Sequence, residues 1–199
     1  MWGRDKASSI RWGSAIFWGV TAFVVGYLLT RHFVLMGESP ETVYEASENT
    51  VSGWYYYNAQ MVSLVEHGEV FGESIRGGEF DLIDSDSASE YHSFLYVIPP
   101  IVLTFCGVLH TAGQGRVRSI SAAAVEGATI AVGYLVTVLV GLVLFAESEA
   151  ALGISATLRP DIISSFLIAG IVYPVLFGVL GGVLYFVAQG NINIRITAN

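Results

Sequence analysis

Trp54-Tyr55-Tyr56-Tyr57-Asn58-Ala59-Gln60 lies inside residues 37–92, the one long stretch of this chain that water would solvate readily. That stretch carries 12 of the 17 acidic residues and one of the nine basic ones, Arg76, so it is an acidic island. What surrounds it is apolar. Working outward, residues 13–36 precede it and residues 93–113, 121–146 and 162–188 follow it, and each run is long enough for a helix to cross a hydrocarbon core of about 30 Å. Hydrophobic residues make up 53% of the 199, and charged residues only 13%, too few to cover a soluble surface of this size. The mean hydropathy of +0.60 agrees. The reading is an all-α membrane protein: four transmembrane helices with an extracellular, partly helical cap between the first and the second.

Charge sorting orients it. With four spans, both termini share one side. Residues 1–12, the 114–118 link and the 189–199 tail hold Arg4, Lys6, Arg11, Arg116, Arg118 and Arg195. The cap and the 147–161 loop hold most of the acids. Cytoplasmic segments carry the excess of Lys and Arg, so both termini are expected in the cytoplasm of a multi-pass cell-membrane protein. The basic start followed by an apolar run also fits a secretory signal, but the run is too long for one and no small-residue cleavage site follows, so a signal anchor is the better reading.

The net charge of −8 argues against nucleic acid as a partner. Lys6 is the only lysine beside eight arginines, and carboxylates dominate, a composition suited to high salt, where their mutual repulsion is screened. The single Cys106 excludes an internal disulfide and reads as a small apolar filler.

Within the cap, Ser39, Pro40 and Glu41 look like a helix start. Trp54, Tyr57, Met61 and Val65 recur at helical spacing, with Asn58, Gln60 and Ser63 off that stripe. Trp and Tyr favour the membrane boundary, so residues 51–65 are expected as a helix lying on the outer leaflet. Trp54, Tyr55, Tyr56, Tyr57 and Asn58 are then the candidate partner-binding face, beside the plainer reading of a packed cap. Apolar pairs on either side of Gly77-Gly78 predict a hairpin turning there. The acid-rich Asp84-Ser85-Asp86-Ser87 has no calcium-loop spacing and reads as a solvated turn.

The run Trp54, Tyr56, Tyr57, Asn58, Ala59, placed after a first span, resembles a Trp-x-aromatic-Tyr-Asn-Ala motif in haloarchaeal multi-pass membrane proteins of unknown function. The resemblance covers about ten residues and the span layout. It implies an archaeal cell membrane and a protein-interaction role, and brings no activity with it.

Other residues are out of place in lipid. Glu126 lies inside the third span and His110 near the same end of the second. A short link makes those helices antiparallel neighbours, so the two fall at similar depth, where a His–carboxylate pair would carry protons or anchor a ligand. A single buried polar contact is the plainer reading. Arg31 near the end of the first span is expected to snorkel or pair with the acidic segment. Pro99 and Pro100 are expected to distort the second span, freeing carbonyls near Leu95 and Tyr96, and Pro174 to distort the fourth. Ala123, Gly127 and Ala131, and Gly178 and Gly182, repeat every four residues and mark helix contacts, within one chain or between chains. Asn191-Ile192-Asn193-Ile194-Arg195-Ile196-Thr197 alternates like a strand offered to a partner's edge.

His32, His67 and His92 lack metal-ligand spacing, and no second histidine stands at the depth of His110 to hold haem, so neither metal nor cofactor is expected. No phosphate loop, hydrolytic triad order or cysteine cluster is present, so the chain reads as a non-enzyme. Two functions fit. One is a structural or accessory subunit of a membrane assembly, a homo-oligomer or a complex with other membrane subunits, joined through its cap and small-residue faces. The other is a small ion or solute transporter or channel, with Glu126, His110, Pro99, Pro100 and Pro174 along its path.

Overall fold

The structure is a computed structural model that describes residues 11–37, 46–70, 73–84, 90–151 and 154–197. It is mostly helical. Four helical segments, Trp12–Met36, Ser93–Gly113, Ile120–Leu144 and Ile162–Gly190, are long and apolar enough to cross a membrane.

The first is one straight helix, α1 (Trp12–Met36). Nothing in 25 residues interrupts it. It buries Ala15, Gly19, Ala22, Phe23, Gly26, Thr30 and Val34, one stripe at three- and four-residue spacing. Phe17, Leu28 and Met36 face outward, the distribution that lipid rather than water rewards. Gly37 ends it, its N–H reaching the carbonyls of Phe33 and Val34.

The second begins as a 3₁₀ helix, Glu90–Val97, and continues as α3 (Ile98–Gly113). Pro99 and Pro100 therefore stand in the first turn of α3, where no intrahelical N–H is needed. The departure from regular α-helix in this span falls just before the pair and not within α3. The tighter 3₁₀ geometry before the pair takes up the change instead.

The third is interrupted just after Gly127, with no proline nearby. Helix α4 (Ile120–Ala128) passes into α5 (Ala131–Leu144) through Thr129-Ile130. There the Thr129 N–H is shared between the carbonyls of Val125 and Glu126, and Val132 N–H reaches Thr129 O at 3.2 Å. The fourth starts with α6 (Ile162–Ser164), capped by the Asp161 carboxylate on Ser164 N–H at 2.8 Å. A π-helical stretch, Ser165–Val172, leads into α7 (Tyr173–Thr197). Pro174 supplies no N–H to the turn before it, and the wider π turns fall at that point, so here the expected distortion is present. Helix α7 runs on through Asn191–Thr197. The expected strand is thus a helix: the isoleucine alternation is overridden by continuation of a strongly apolar helix.

The acidic island begins, within the described residues, with α2 (Glu48–Asn58), capped by Ser47 on Thr50 N–H at 3.2 Å. The candidate helix start at Ser39, Pro40 and Glu41 lies outside the described residues. So does Asp86 with its serine neighbours. Helix α2 stops seven residues short of Val65 because Met61 takes a positive φ of 60° and turns the chain into a strand.

That strand, β1 (Leu64–Val70), pairs with β2 (Glu73–Phe80). The hairpin turn lies between them, not at Gly77-Gly78. Those glycines sit inside β2 opposite Glu66, where the register slips by one residue. A Cβ on Gly77 would press on the Glu66 side chain, which is why a bulge there needs glycine. A second hairpin, β3 (Glu147–Ala151) and β4 (Ile154–Pro160), occupies what the sequence presented as a loop. Strand β1 pairs with β4 from Leu64–Pro160 to Val70–Ile154. The result is one antiparallel sheet in the order β2-β1-β4-β3. The fold is therefore all-α only in its apolar part; the cap is a mixed layer.

Candidate functional site

Two buried polar clusters stand within the helical bundle. The first is built on α2. Residues Val51 to Gln60 are all buried, and Trp54, Tyr55, Tyr56, Tyr57, Asn58 and Gln60 have no exposure at all. This corrects the expectation that Trp54–Asn58 form an interfacial or partner-binding face. The reason is hydrogen bonding: Trp54, Tyr56, Tyr57, Asn58 and Gln60 each find a partner inside.

Trp54 Nε1–H donates to Phe145 O at 2.7 Å, satisfying a carbonyl left open where α5 ends. Tyr57 O–H donates to Val138 O at 2.5 Å. The Tyr56 and Tyr134 hydroxyls are 2.8 Å apart. Tyr134 O–H donates to Gln60 Oε1 at 2.6 Å, so Tyr56 is the donor between the two phenols. Gln60 Nε2–H closes the ring on Tyr56 O at 3.0 Å. Asn58 donates to Val62 O at 2.8 Å and accepts from Leu82 N–H at 3.0 Å, joining α2 to the segment after β2.

Phe23 lies edge-on to Tyr56, Tyr57 and Tyr134, and Tyr27 stacks on Phe145 at 5.3 Å. Glycines make the room. A Cβ on Gly26 would strike the Tyr56 phenol, and one on Gly53 the Phe145 ring. Burial pushes the Tyr55 phenol up to about 12 and raises Tyr56 and Tyr57 further. Arg31 closes the rim, its Nε–H on Asn49 Oδ1 at 3.0 Å and its Nη2 3.8 Å from the Glu48 carboxylate. The expectation that Arg31 meets the acidic segment is met at α2.

The second cluster lies where α1 begins, α3 ends and α4 passes into α5. His110 is fully buried and Glu126 is 7% exposed. His110 Nε2 and Glu126 Oε2 are 3.9 Å apart, so the two residues singled out on separate spans do meet. Thr129 O–H donates to Glu126 O at 2.6 Å, a short and committed bond. Thr129 Oγ1 also stands 3.0 Å from His110 Nε2, so there it accepts, and Nε2 carries the hydrogen. His110 Nδ1 then accepts from Ser14 O–H at 3.1 Å. The Gln114 amide lies 3.4 Å from Nε2. Glu126 Oε2 has no hydrogen-bond partner among the described residues. Sequence spacing brought out His110 and Glu126. Ser14 and Thr129 carried no signal, because one comes from α1 and the other from an interruption whose nearby Gly127 read as a helix contact.

The other candidates scatter. Pro99 and Pro100 open α3 and Pro174 opens α7, away from this cluster. Ala123 and Gly127 face Gly182 and Gly178: a Cβ on Gly127 would meet Gly178 O, and one on Gly182 would meet Ala123 O. Those helix contacts fall within one chain. Ala131 is half-buried. An unflagged pair, Gly19 and Gly133, does the same for α1 and α5. Cys106 is buried and free. Among the described residues no three His, Cys, Asp or Glu side chains stand close enough to hold a metal ion.

The chain belongs to a family of unknown function, DUF7978, whose model matches residues 3–189. No curated protein and no solved structure matches the chain.

Proposed function

We propose that this is a non-enzymatic accessory subunit of a membrane assembly, which holds a rigid acidic sheet just outside the bilayer for a partner subunit. The observation that carries the reading is the junction between sheet and bundle. Helix α2 is bound into the helices by Trp54, Tyr56, Tyr57 and Gln60, and the sheet follows two residues after Met61. Leu64, Val65 and Leu158 at its near end belong to the buried interior, and Asp161 N–H donates to Ser63 O at 2.9 Å. A sheet fixed this firmly presents a surface of constant shape.

Its outer strands are β2 and β3. Outer strands offer unpaired backbone groups, the usual means of adding a partner's strand. Glu73 and Glu79 on β2, and Glu147 and Glu149 on β3, oppose pairing with a second acidic copy and favour a partner with basic or neutral strands. The small-residue faces are occupied within the chain, so the partner is met through the sheet rather than through Gly178 or Gly182. The charge sorting supports an outer sheet with both termini in the cytoplasm. The lysine-poor, acid-rich composition supports a high-salt setting.

Two measurements test this. Cys106 is the only cysteine and is buried, so introduced cysteines report cleanly. Ser74→Cys should react with an impermeant maleimide added outside intact cells, and Arg118→Cys only after lysis; the reverse pattern overturns the orientation. The native mass in mild detergent should exceed that of one chain. A strictly monomeric particle that co-purifies with nothing overturns the subunit role.

A further inference from the structure

We propose that His110 and Glu126 form a proton-binding site, holding one exchangeable proton taken from the end of the bundle at which Arg11 and Gln114 lie. The inference is independent of the accessory role. It rests on an asymmetry in the cluster. Glu126 is more than nine-tenths buried, yet its Oε2 has no hydrogen-bond partner among the described residues. A buried carboxylate in this state lacks a counter-charge. A proton corrects that in either of two places. On Oε2 it makes the carboxyl neutral. On His110 Nδ1 it makes an imidazolium 3.9 Å from the carboxylate.

The second arrangement costs no hydrogen bond at the ring. Nε2–H already points to Thr129 Oγ1. A new Nδ1–H is received by Ser14, whose hydroxyl turns from donor to acceptor over the same 3.1 Å. One N–H bond forms, one proton leaves water, and nothing else changes. The described surroundings supply no rival. From α1 the nearest charged group is Arg11, whose Nη1–H reaches Gly113 O at 3.5 Å. From the α3–α4 link Arg116 and Arg118 are exposed. Helix α7 contributes Tyr185, bonded to Gly115 O at 3.5 Å, and no charged residue between 173 and 190. Helix α5 has none. Among the described residues Glu126 is thus the only acid facing the ring, and every other charged neighbour is a cation.

The site also touches the interruption of the third segment. Thr129, which receives the ring N–H, holds Glu126 O where α4 gives way to α5. Thr129 thus ties the ring to the one place where that segment departs from regular helix.

The test uses the whole protein in lipid nanodiscs. Nitrogen-15 spectra of labelled histidine follow the four rings, His32, His67, His92 and His110, through a pH titration, with H110Q assigning its own signal. Infrared difference spectra follow the carboxyl band that E126Q removes. The expected result is one common midpoint for the His110 signal and the Glu126 band, and a shift of the His110 midpoint by about one pH unit or more in E126Q. A His110 signal that never titrates in the folded protein overturns the proposal. So does a midpoint that E126Q leaves unchanged. If H110Q does not fold, H32Q, H67Q and H92Q assign His110 by elimination, and the same criteria apply.

Discussion

The aromatic cluster on α2 and the His110 cluster are both polar, both buried and both assembled from three or more segments, but only one is closed. Around Tyr56, Tyr134 and Gln60 each phenol and amide finds a partner in a ring of bonds between 2.6 and 3.0 Å. Around His110 the ring nitrogens are satisfied while a carboxylate oxygen beside them is not. A closed polar network fixes one arrangement of its elements. An open one leaves a polar group in an apolar bundle without its partner, which is the ground for the proton site proposed above. The first region holds the molecule together; the second is where occupancy can change.

The contrast can be broken, beginning with the largest effect. Trp54→Ala removes a fully buried indole and orphans Phe145 O, so it should cost about 3–5 kcal/mol, read as loss of folded protein in detergent. A change below about 1 kcal/mol would mean that α2 is not the anchor. Tyr134→Phe keeps the ring but leaves the Tyr56 hydroxyl and Gln60 Oε1 short of a partner, for about 1–3 kcal/mol by chemical denaturation. Next comes alkali. Because burial raises the Tyr55 phenol to about 12, the folded state holds that proton longer than the unfolded chain does. Its contribution is complete below pH 10 and is lost as pH climbs toward 12. Tyr55→Phe should therefore flatten part of the stability decline across that window. Glu126→Gln should have the smallest effect, within about 1 kcal/mol of wild type near neutrality, because an amide fills the same volume without the charge. If it proved as costly as Tyr134→Phe, the two clusters would be alike and the contrast would fail.

Much of the helical frame was legible, since a run of some twenty apolar residues has few other readings. The sheet was not. Strands β3 and β4 are short, and Glu147-Ser148-Glu149 reads as loop until β1, some ninety residues earlier, lies beside it. Gly77-Gly78 read as a turn because a bulge and a turn ask for the same residue. Pro99-Pro100 read as a kink because nothing in the sequence marks where a 3₁₀ helix hands over to an α-helix. The aromatic run was the most instructive failure. Composition places Tyr and Trp at a membrane boundary when their hydroxyl and indole groups lack internal partners, and whether partners exist depends on Val138 and Phe145, far away in the chain. At the second cluster His110 and Glu126 were legible from the short link between their helices. Ser14 and Thr129 depend on how α1 is laid against them.

The pairing of β1 with β4 has a consequence for how the molecule is made. Strand β1 emerges early and its partner only after the third apolar segment is complete. The aromatic side chains of α2 likewise wait for Tyr134, Val138 and Phe145. For most of its synthesis the chain therefore carries an unseated aromatic helix and a hairpin without its β4 neighbour. The second half then acts as a latch: one late insertion seats α2 and completes the sheet together.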